Sequence, residues 1–370
     1  MNVESILKTY DVDPVRGFLP AVDPINSLPT DYHAWEQAAA GMGEAPQSVR
    51  SVIDALPLLD PSPLLTSQPE CHRAMLLLSV LGSSYVHAGE TPAVRIPESI
   101  SRPWKAVADA LGRPMIISHA SIVLDNWAVE PDGDLRQPET LRTQTRFAGG
   151  ADEDWFYLVT VSIEAVGAAI LPDIIENRLA LDSRNTSQVS RCLEKITDTV
   201  EQIRALLNRM EERCRPRVFY DSVRPYLSGW PKDGVIYEGV DDTPRCLFGG
   251  SAAQSSLLQS IDAAMGITHE DSRSQPFLLA MRDYMPPQHR AFIDWLEAGS
   301  TLREGAGNAD ASRAYDQAVD ALDRFRRDHM AITARYITQQ GDSDAQGTGG
   351  TEYGTFLRVT RRETTDQRLD

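Results

Sequence analysis

The stretch "ALDRFRRDHMAITARYI", Ala321 to Ile337, decides how this chain folds. With the residues just before it, its apolar positions run Tyr315, Val319, Leu322, Phe325, His329, Ile332 and Tyr336, at steps of three or four. That spacing puts them on one face of a helix. Asp320, Asp323, Arg324, Arg327 and Asp328 take the other face. The helix predicted here has a buried stripe, and a histidine stands on it.

A histidine in that place has two readings. One is a hydrogen-bonded core residue, the commoner fate of a lone inward histidine. The other is a haem or metal ligand, because neutral imidazole is the commonest protein ligand to metals. Zinc wants partner ligands. No His/Glu pair at helical spacing accompanies His329, and the remaining histidines (His33, His72, His87, His119, His269 and His289) do not cluster in sequence. Haem differs, since the porphyrin supplies four nitrogens and a single proximal histidine suffices.

Working outward, the pattern stays helical. Val189, Cys192, Leu193, Ile196, Val200, Ile203, Leu207 and Met210 repeat the same steps, with Asn185, Thr186 or Ser187 as the expected N-cap. Further helices are predicted over Ser255 to Met265 and from Pro287 to Leu296. Ala311 to Ile337 is the longest periodic run. "QQGDSDAQGTGGT", Gln339 to Thr351, reads as a glycine-rich loop before a short terminal helix. Toward the N-terminus, apolar segments such as Cys71 to Leu81 alternate with "FLPAVDPINSLP", "LPLLDPSPLL" and "GETPAVRIPES", which predicts short helices between proline-bounded loops. Strand signals are few. Val129 to Asp154 is polar and punctuated by Gly and Pro, and reads as a linker. The expected division is a small N-terminal domain with its linker, 1–146, and a larger helical domain, 147–370.

Composition bounds the partners. The 370 residues are 42% hydrophobic and 24% charged, with a formal net charge of -17. An acidic chain repels nucleic acid phosphates and anionic membrane surfaces, so neither is an expected partner. Cys71, Cys192, Cys214 and Cys246 form no CxxC pair, which fits neither a structural zinc site nor a disulfide framework. The apolar run "WFYLVTVSIEAVGAAIL", Trp155 to Leu171, is short for a membrane span and carries Glu164 in its middle, so it reads as a buried core helix. The N-terminal residues lack the pattern of a signal peptide, and a cytoplasmic protein is expected.

Other motifs weigh on His329. "FYDSVRPYLSGW" (Phe219 to Trp230), "GVIYEGV" (Gly234 to Val240), "GGSAAQSSLLQSIDAAMG" (Gly249 to Gly266), "MRDYMPPQHRAFIDWLE" (Met281 to Glu297), "FRRDHMAITARYI" and "GTGGT" (Gly347 to Thr351) follow in that order. The chain resembles the indoleamine 2,3-dioxygenase family of haem proteins. The resemblance is strongest from Trp155 to Arg362 and continues through "GFLP" (Gly17 to Pro20) and "LDNW" (Leu124 to Trp127). It implies an all-α fold in which a small N-terminal domain caps a larger helical domain holding one haem b. It also implies insertion of both atoms of O2 across the indole C2–C3 bond, typically of tryptophan, to give N-formylkynurenine. An electron donor would keep the iron ferrous. The sequence leaves the oligomeric state open.

Residue by residue, the resemblance makes His329 the proximal haem ligand. Asp262 would be the carboxylate that accepts a hydrogen bond from the ligand imidazole. Arg326 would lie near a haem propionate. Arg224 would bind the substrate carboxylate through its guanidinium fork, and Phe219 and Phe156 would wall the indole. Gly250, Ser251 and Ala252 would pass beside the haem edge and substrate. Thr348 and Gly349 would belong to a loop closing over the substrate's amino and carboxylate groups. Thr160 stands where mammalian relatives have a distal serine. His119 falls where they have a tyrosine, with Ile122 and Val123 on the same wall; it is either a polar group over O2 or the indole, or a satisfied pocket-edge histidine. Leu258 replaces an aromatic residue near the proximal side. The rival readings are a family member acting on another indole in secondary metabolism, of the pyrrolnitrin type, an O2-carrying haem protein without turnover, and a helical interaction protein without haem.

Overall fold

The computed structural model describes residues 2–42, 48–341 and 353–369. The helices that position the site and its surroundings are α1 (Val3–Thr9), α2 (Gln68–His87), α3 (Glu98–Leu111), α4 (Gly150–Gly167), α5 (Val189–Asn208), α6 (Ser256–Met265), α7 (Pro287–Glu297), α8 (Ala309–Thr333) and α9 (Tyr353–Thr365). Among the described residues the strands are two-residue pairs. β1 (Arg95–Ile96) runs parallel to β4 (Ile236–Tyr237), and β2 (Ala128–Val129) antiparallel to β3 (Leu141–Arg142). The fold is all-α.

The long stripe folds as its spacing requires. Along α8, Tyr315, Val319, Leu322 and Phe325 are buried while Arg327 on the other face is exposed. Asn308 caps the helix, its side chain accepting from the amides of Asp310 and Ala311. α5 packs against α8 along its own buried row of Val189, Cys192, Leu193, Ile196, Val200 and Ile203. Each such side chain contributes roughly 1.5–3 kcal/mol through the apolar surface it removes from water. The N-cap of α5 is Gln188, not a residue from Asn185 to Ser187. The Asn185 side chain is spent one step earlier, accepting from the Ser187 amide at 3.1 Å and hydroxyl at 2.7 Å, a local turn that competes with capping.

The stretch expected as a linker is packed. It holds the β2–β3 pair, and Phe147 stacks on Tyr226 with centroids 5.0 Å apart. The Glu153 carboxylate accepts from the amides of Phe147 and Gly149 at 2.8 and 2.9 Å and from the Tyr157 hydroxyl at 2.9 Å. These bonds satisfy a buried turn and its carboxylate together, which explains why so polar a segment is not free chain.

Two apolar cores interleave along the chain. One gathers α2, α3, the first part of α4 and residues such as Met210, Phe219 and Trp230. The other gathers α1, α5, α6, α7 and α8. α4 threads both. Gly167, near its end, lets α6 approach so closely that a Cβ there would lie 2.1 Å from Leu257 Cδ2. α6 then ends at Gly266, whose φ of +76° forms a left-handed cap that other residues resist.

Candidate functional site

Helix α4 is buried on nearly every side, as its apolar sequence predicts. Between Trp155 and Gly167 only Phe156, Thr160 and Ile163 keep partly accessible side chains. They are spaced four and three apart and so form one stripe. On α8 the partly accessible positions on the inner stripe are His329 and Ile332. Ile163 and Ile332 each pack against both cores. The stripe of α4 and the end of α8 thus carry half-buried positions where the two cores meet.

Three π-helical turns bring further residues to this region: Ala120–Leu124, Phe219–Val223 and Ala334–Thr338. π turns cluster at functional sites. The middle one solves a spacing problem. Phe219 and Arg224 are five apart, which splays them on an α-helix, whereas i→i+5 bonding brings such residues close to one face. The structure joins the expected aromatic walls directly: Phe156 and Phe219 have centroids 4.7 Å apart, and Phe219 meets Tyr336 edge-on at 5.6 Å. Arg224 is half-buried, its guanidinium 5.2 Å from the Tyr220 ring.

His329 is the polar centre of the α8 wall. The residue is half-buried, and burial, aided by the Arg326 cation, pushes its pKa down to about 4. It is therefore a neutral imidazole near neutral pH. It stacks on Phe325 at 6.3 Å, and no ring nitrogen hydrogen-bonds to any described residue. The bland reading, a core histidine satisfied by hydrogen bonds, does not hold among the described residues.

Asp262 does not accept from His329, which corrects the expectation. Its two oxygens take Nη2 of Arg326, at 2.7 Å each, and Nε2 of His269 lies 3.2 Å from Oδ2. Arg326 stands one turn before His329, and its long guanidinium reaches the carboxylate in place of the ring. Arg326 is thus partly committed, while its buried Nε–H has no partner among the described residues.

On the other wall, the Thr160 hydroxyl donates to the Phe156 carbonyl at 2.9 Å, so its proton is held within α4. His119 is buried and has hydrogen-bond partners. Its ring Nε2 lies 2.9 Å from Glu164 Oε1, which also accepts from the Ser255 hydroxyl at 2.6 Å. Its amide donates to Gln254 Oε1 at 2.9 Å. Ile122 and Val123 are buried on the adjoining π turn, and a Cβ at Gly250 would lie 3.4 Å from Ile122 Cδ1.

The segment from Gly249 to Ser255 is held as a strap. Gln254 Nε2 donates to the Gly249 carbonyl, Ser251 and Gln254 form a capping box, and the Gly250 amide donates to the Leu227 carbonyl. Gly250 is buried, Ser251 half-buried and Ala252 exposed. Leu258 is half-buried against the second core. Thr348 and Gly349 lie outside the described residues. A separate cleft of about 1180 Å³, lined by His72, Arg113 and Asp125 among others, involves none of these residues.

The model of the family described as indoleamine 2,3-dioxygenase matches residues 6–346. The chain belongs to the indoleamine 2,3-dioxygenase family. It is 34% identical to the indoleamine 2,3-dioxygenase nanC of Aspergillus nanangensis, over 98% of this chain and 97% of the relative. It is 32% identical to indoleamine 2,3-dioxygenase 1 of Mus musculus, over 98% and 96%. A third relative, the 6-hydroxytryptophan 2,3-dioxygenase fscD of Fusarium equiseti, is 32% identical over 96% of each chain. As a member of this family the protein is an oxidoreductase, a dioxygenase of indoles.

The residues present fit the haem on which the family depends. A lone neutral imidazole with open nitrogens suits a porphyrin iron, which asks one ligand of the protein. No group of three or more His, Cys, Asp or Glu among the described residues could hold an ion by itself. The unspent Nε–H of Arg326 suits an anionic edge. Sequence reasoning missed Glu164, Gln254, His269 and Glu363. For Glu164 a signal was present, because a carboxylate inside an apolar helix demands a buried partner.

Proposed function

We propose that this chain holds one haem b on His329 and uses it to insert both atoms of dioxygen across the C2–C3 bond of tryptophan, giving N-formylkynurenine. The observation that carries this reading is the neutral imidazole of half-buried His329, without a hydrogen-bond partner among the described residues, beside Ile332 where the two cores meet. When bound, the haem supplies the iron centre that activates dioxygen. The chain supplies position. Phe156 and Phe219, already in contact, form an aromatic wall for an indole face. Arg224, directly after the same π turn, takes the amino acid carboxylate in two parallel charge-assisted bonds. Holding the ring in this way removes the entropy of bringing reactants together. The Thr160 hydroxyl, with its proton directed to Phe156, presents oxygen lone pairs to the site and is an aid to orientation rather than an acid. Gly250 lets backbone approach closely. Arg326 steadies the anionic edge of the haem, and an electron donor keeps the iron ferrous.

A ring-substituted indole is the second reading, favoured by the Fusarium relative named for 6-hydroxytryptophan. Reconstitution with haem tests the foundation of both. The wild type takes up haem and shows a Soret band, and His329→Ala loses it or shows that of a weakly ligated haem. Equal spectra for the two proteins would refute the assignment of His329.

A further inference from the structure

Arg326 begins a buried chain of charge that leads away from the site. Its Nη2 bonds both oxygens of Asp262, and His269 Nε2 faces Asp262 Oδ2 at 3.2 Å. The other nitrogen of the same ring, Nδ1, lies 3.0 Å from Glu363 Oε2 on α9. Glu363 is further held by the Ser274 hydroxyl at 2.9 Å and the Asp271 amide at 2.8 Å. Asp271 turns its own carboxylate outward to Arg273 and Arg362. The side chains of His269 and Glu363 are about nine-tenths buried, at 9% and 11% exposure.

A neutral imidazole has one N–H, but both nitrogens here face carboxylate oxygens. Only the doubly protonated ring donates on both sides. The two acids are carboxylates: burial opposes their ionisation, and the donors offset it, Arg326 and His269 at Asp262, and the Asp271 amide with His269 and Ser274 at Glu363, so both lie below the usual range. The cluster joins the C-terminal helix, through Glu363 and His269, to Asp262 and so to Arg326, one turn from His329.

We propose that His269 is a positioning residue of the proximal side. Clamped as an imidazolium between Asp262 and Glu363, it fixes the carboxylate that holds Arg326 beside His329, and it docks α9 onto that carboxylate. Loss of the cation leaves one negative charge uncompensated next to Arg326. That charge stabilises the more positive, ferric state of a haem on His329.

The test uses the full chain and three variants: His269→Ala, the milder His269→Gln, which keeps one donor, and Asp323→Asn. The last breaks the Arg361–Asp323 tie between α8 and α9, away from Asp262. In haem-free protein at fixed pH, His269→Ala speeds amide exchange of residues 353–365 by about tenfold or more, the scale of losing a charged hydrogen bond. In haem-loaded protein, both His269 variants move the midpoint potential negative, and Asp323→Asn speeds exchange without moving it. Unchanged exchange in His269→Ala overturns the docking role. A potential equal to that of wild type in both His269 variants overturns the positioning role. This second readout rests on the haem reading, and a wild type that takes up no haem refutes that reading while the exchange measurement still decides the docking. If His269→Ala does not fold, His269→Gln gives both readings with smaller shifts.

Discussion

Arg326 donates from Nη2 to both carboxylate oxygens of Asp262, at 2.7 Å each, from one turn before His329. The pair orders the wall that carries the haem ligand, and both members are largely buried. Breaking such a pair strands a charge, which costs roughly 3–5 kcal/mol. Asp262→Ala is therefore expected to lower the urea unfolding free energy by about that much and to weaken haem retention. A loss below about 1 kcal/mol, the scale of an exposed pair, would show that the carboxylate is not doing this.

The acid limb of stability follows from the same groups. Asp262 and Glu363 titrate below their ordinary values in the folded chain, because their donors outweigh burial. As pH falls from about 5, the unfolded chain takes up protons that the folded chain resists, so folding loses stability. Their contribution is full above the ordinary carboxylate range and disappears as pH drops through the folded values. The urea midpoint of wild type should fall between about pH 5 and pH 3, and that of Asp262→Asn should fall less steeply. Parallel profiles for the two proteins would contradict the linkage.

Beside the other wall, His119 and Ser255 compensate a carboxylate that α4 buries, and Glu164 Oε2 meets no described partner. His119→Ala leaves Glu164 with the Ser255 hydroxyl on Oε1 and empties the space of a buried ring, and should destabilise by roughly 2–5 kcal/mol. Glu164→Gln keeps an acceptor for the histidine and should cost less, about 1–3 kcal/mol for an unmatched amide. Thermal unfolding of the two variants orders them, and the reverse order would refute the pairing.

Binding and chemistry separate at Arg224 and Thr160. Arg224→Ala should raise KM for L-tryptophan by about tenfold or more, as expected for a lost charge-assisted bidentate contact. Thr160→Ala should retain turnover, because its proton is already given to Phe156. Steady-state kinetics decide both. An unchanged KM in the first variant, or abolished turnover with intact haem in the second, would remove the assigned role.

The helices were legible because a stripe repeating at three and four residues has one simple solution, and α5 and α8 adopt it. The π turns were not, since reading by α-helical period splays Phe219 from Arg224, and the inserted residue leaves no mark in composition. Asp262 could be matched by motif, but which donor reaches it depends on the length of Arg326 and on His269, groups brought together only by tertiary packing. The link from His269 to Glu363 spans almost a hundred residues and has no local signal. The segment before α4 looked like a linker because its polar residues are counted as solvent-facing until their buried partners are known, as with Glu153.

One reaction tests dioxygen insertion most directly. The haem-loaded protein, reduced and given L-tryptophan under dioxygen labelled with heavy oxygen, should yield N-formylkynurenine carrying both labelled atoms by mass spectrometry. Product with a single labelled atom, or unchanged tryptophan from a protein with an intact Soret band, would contradict it.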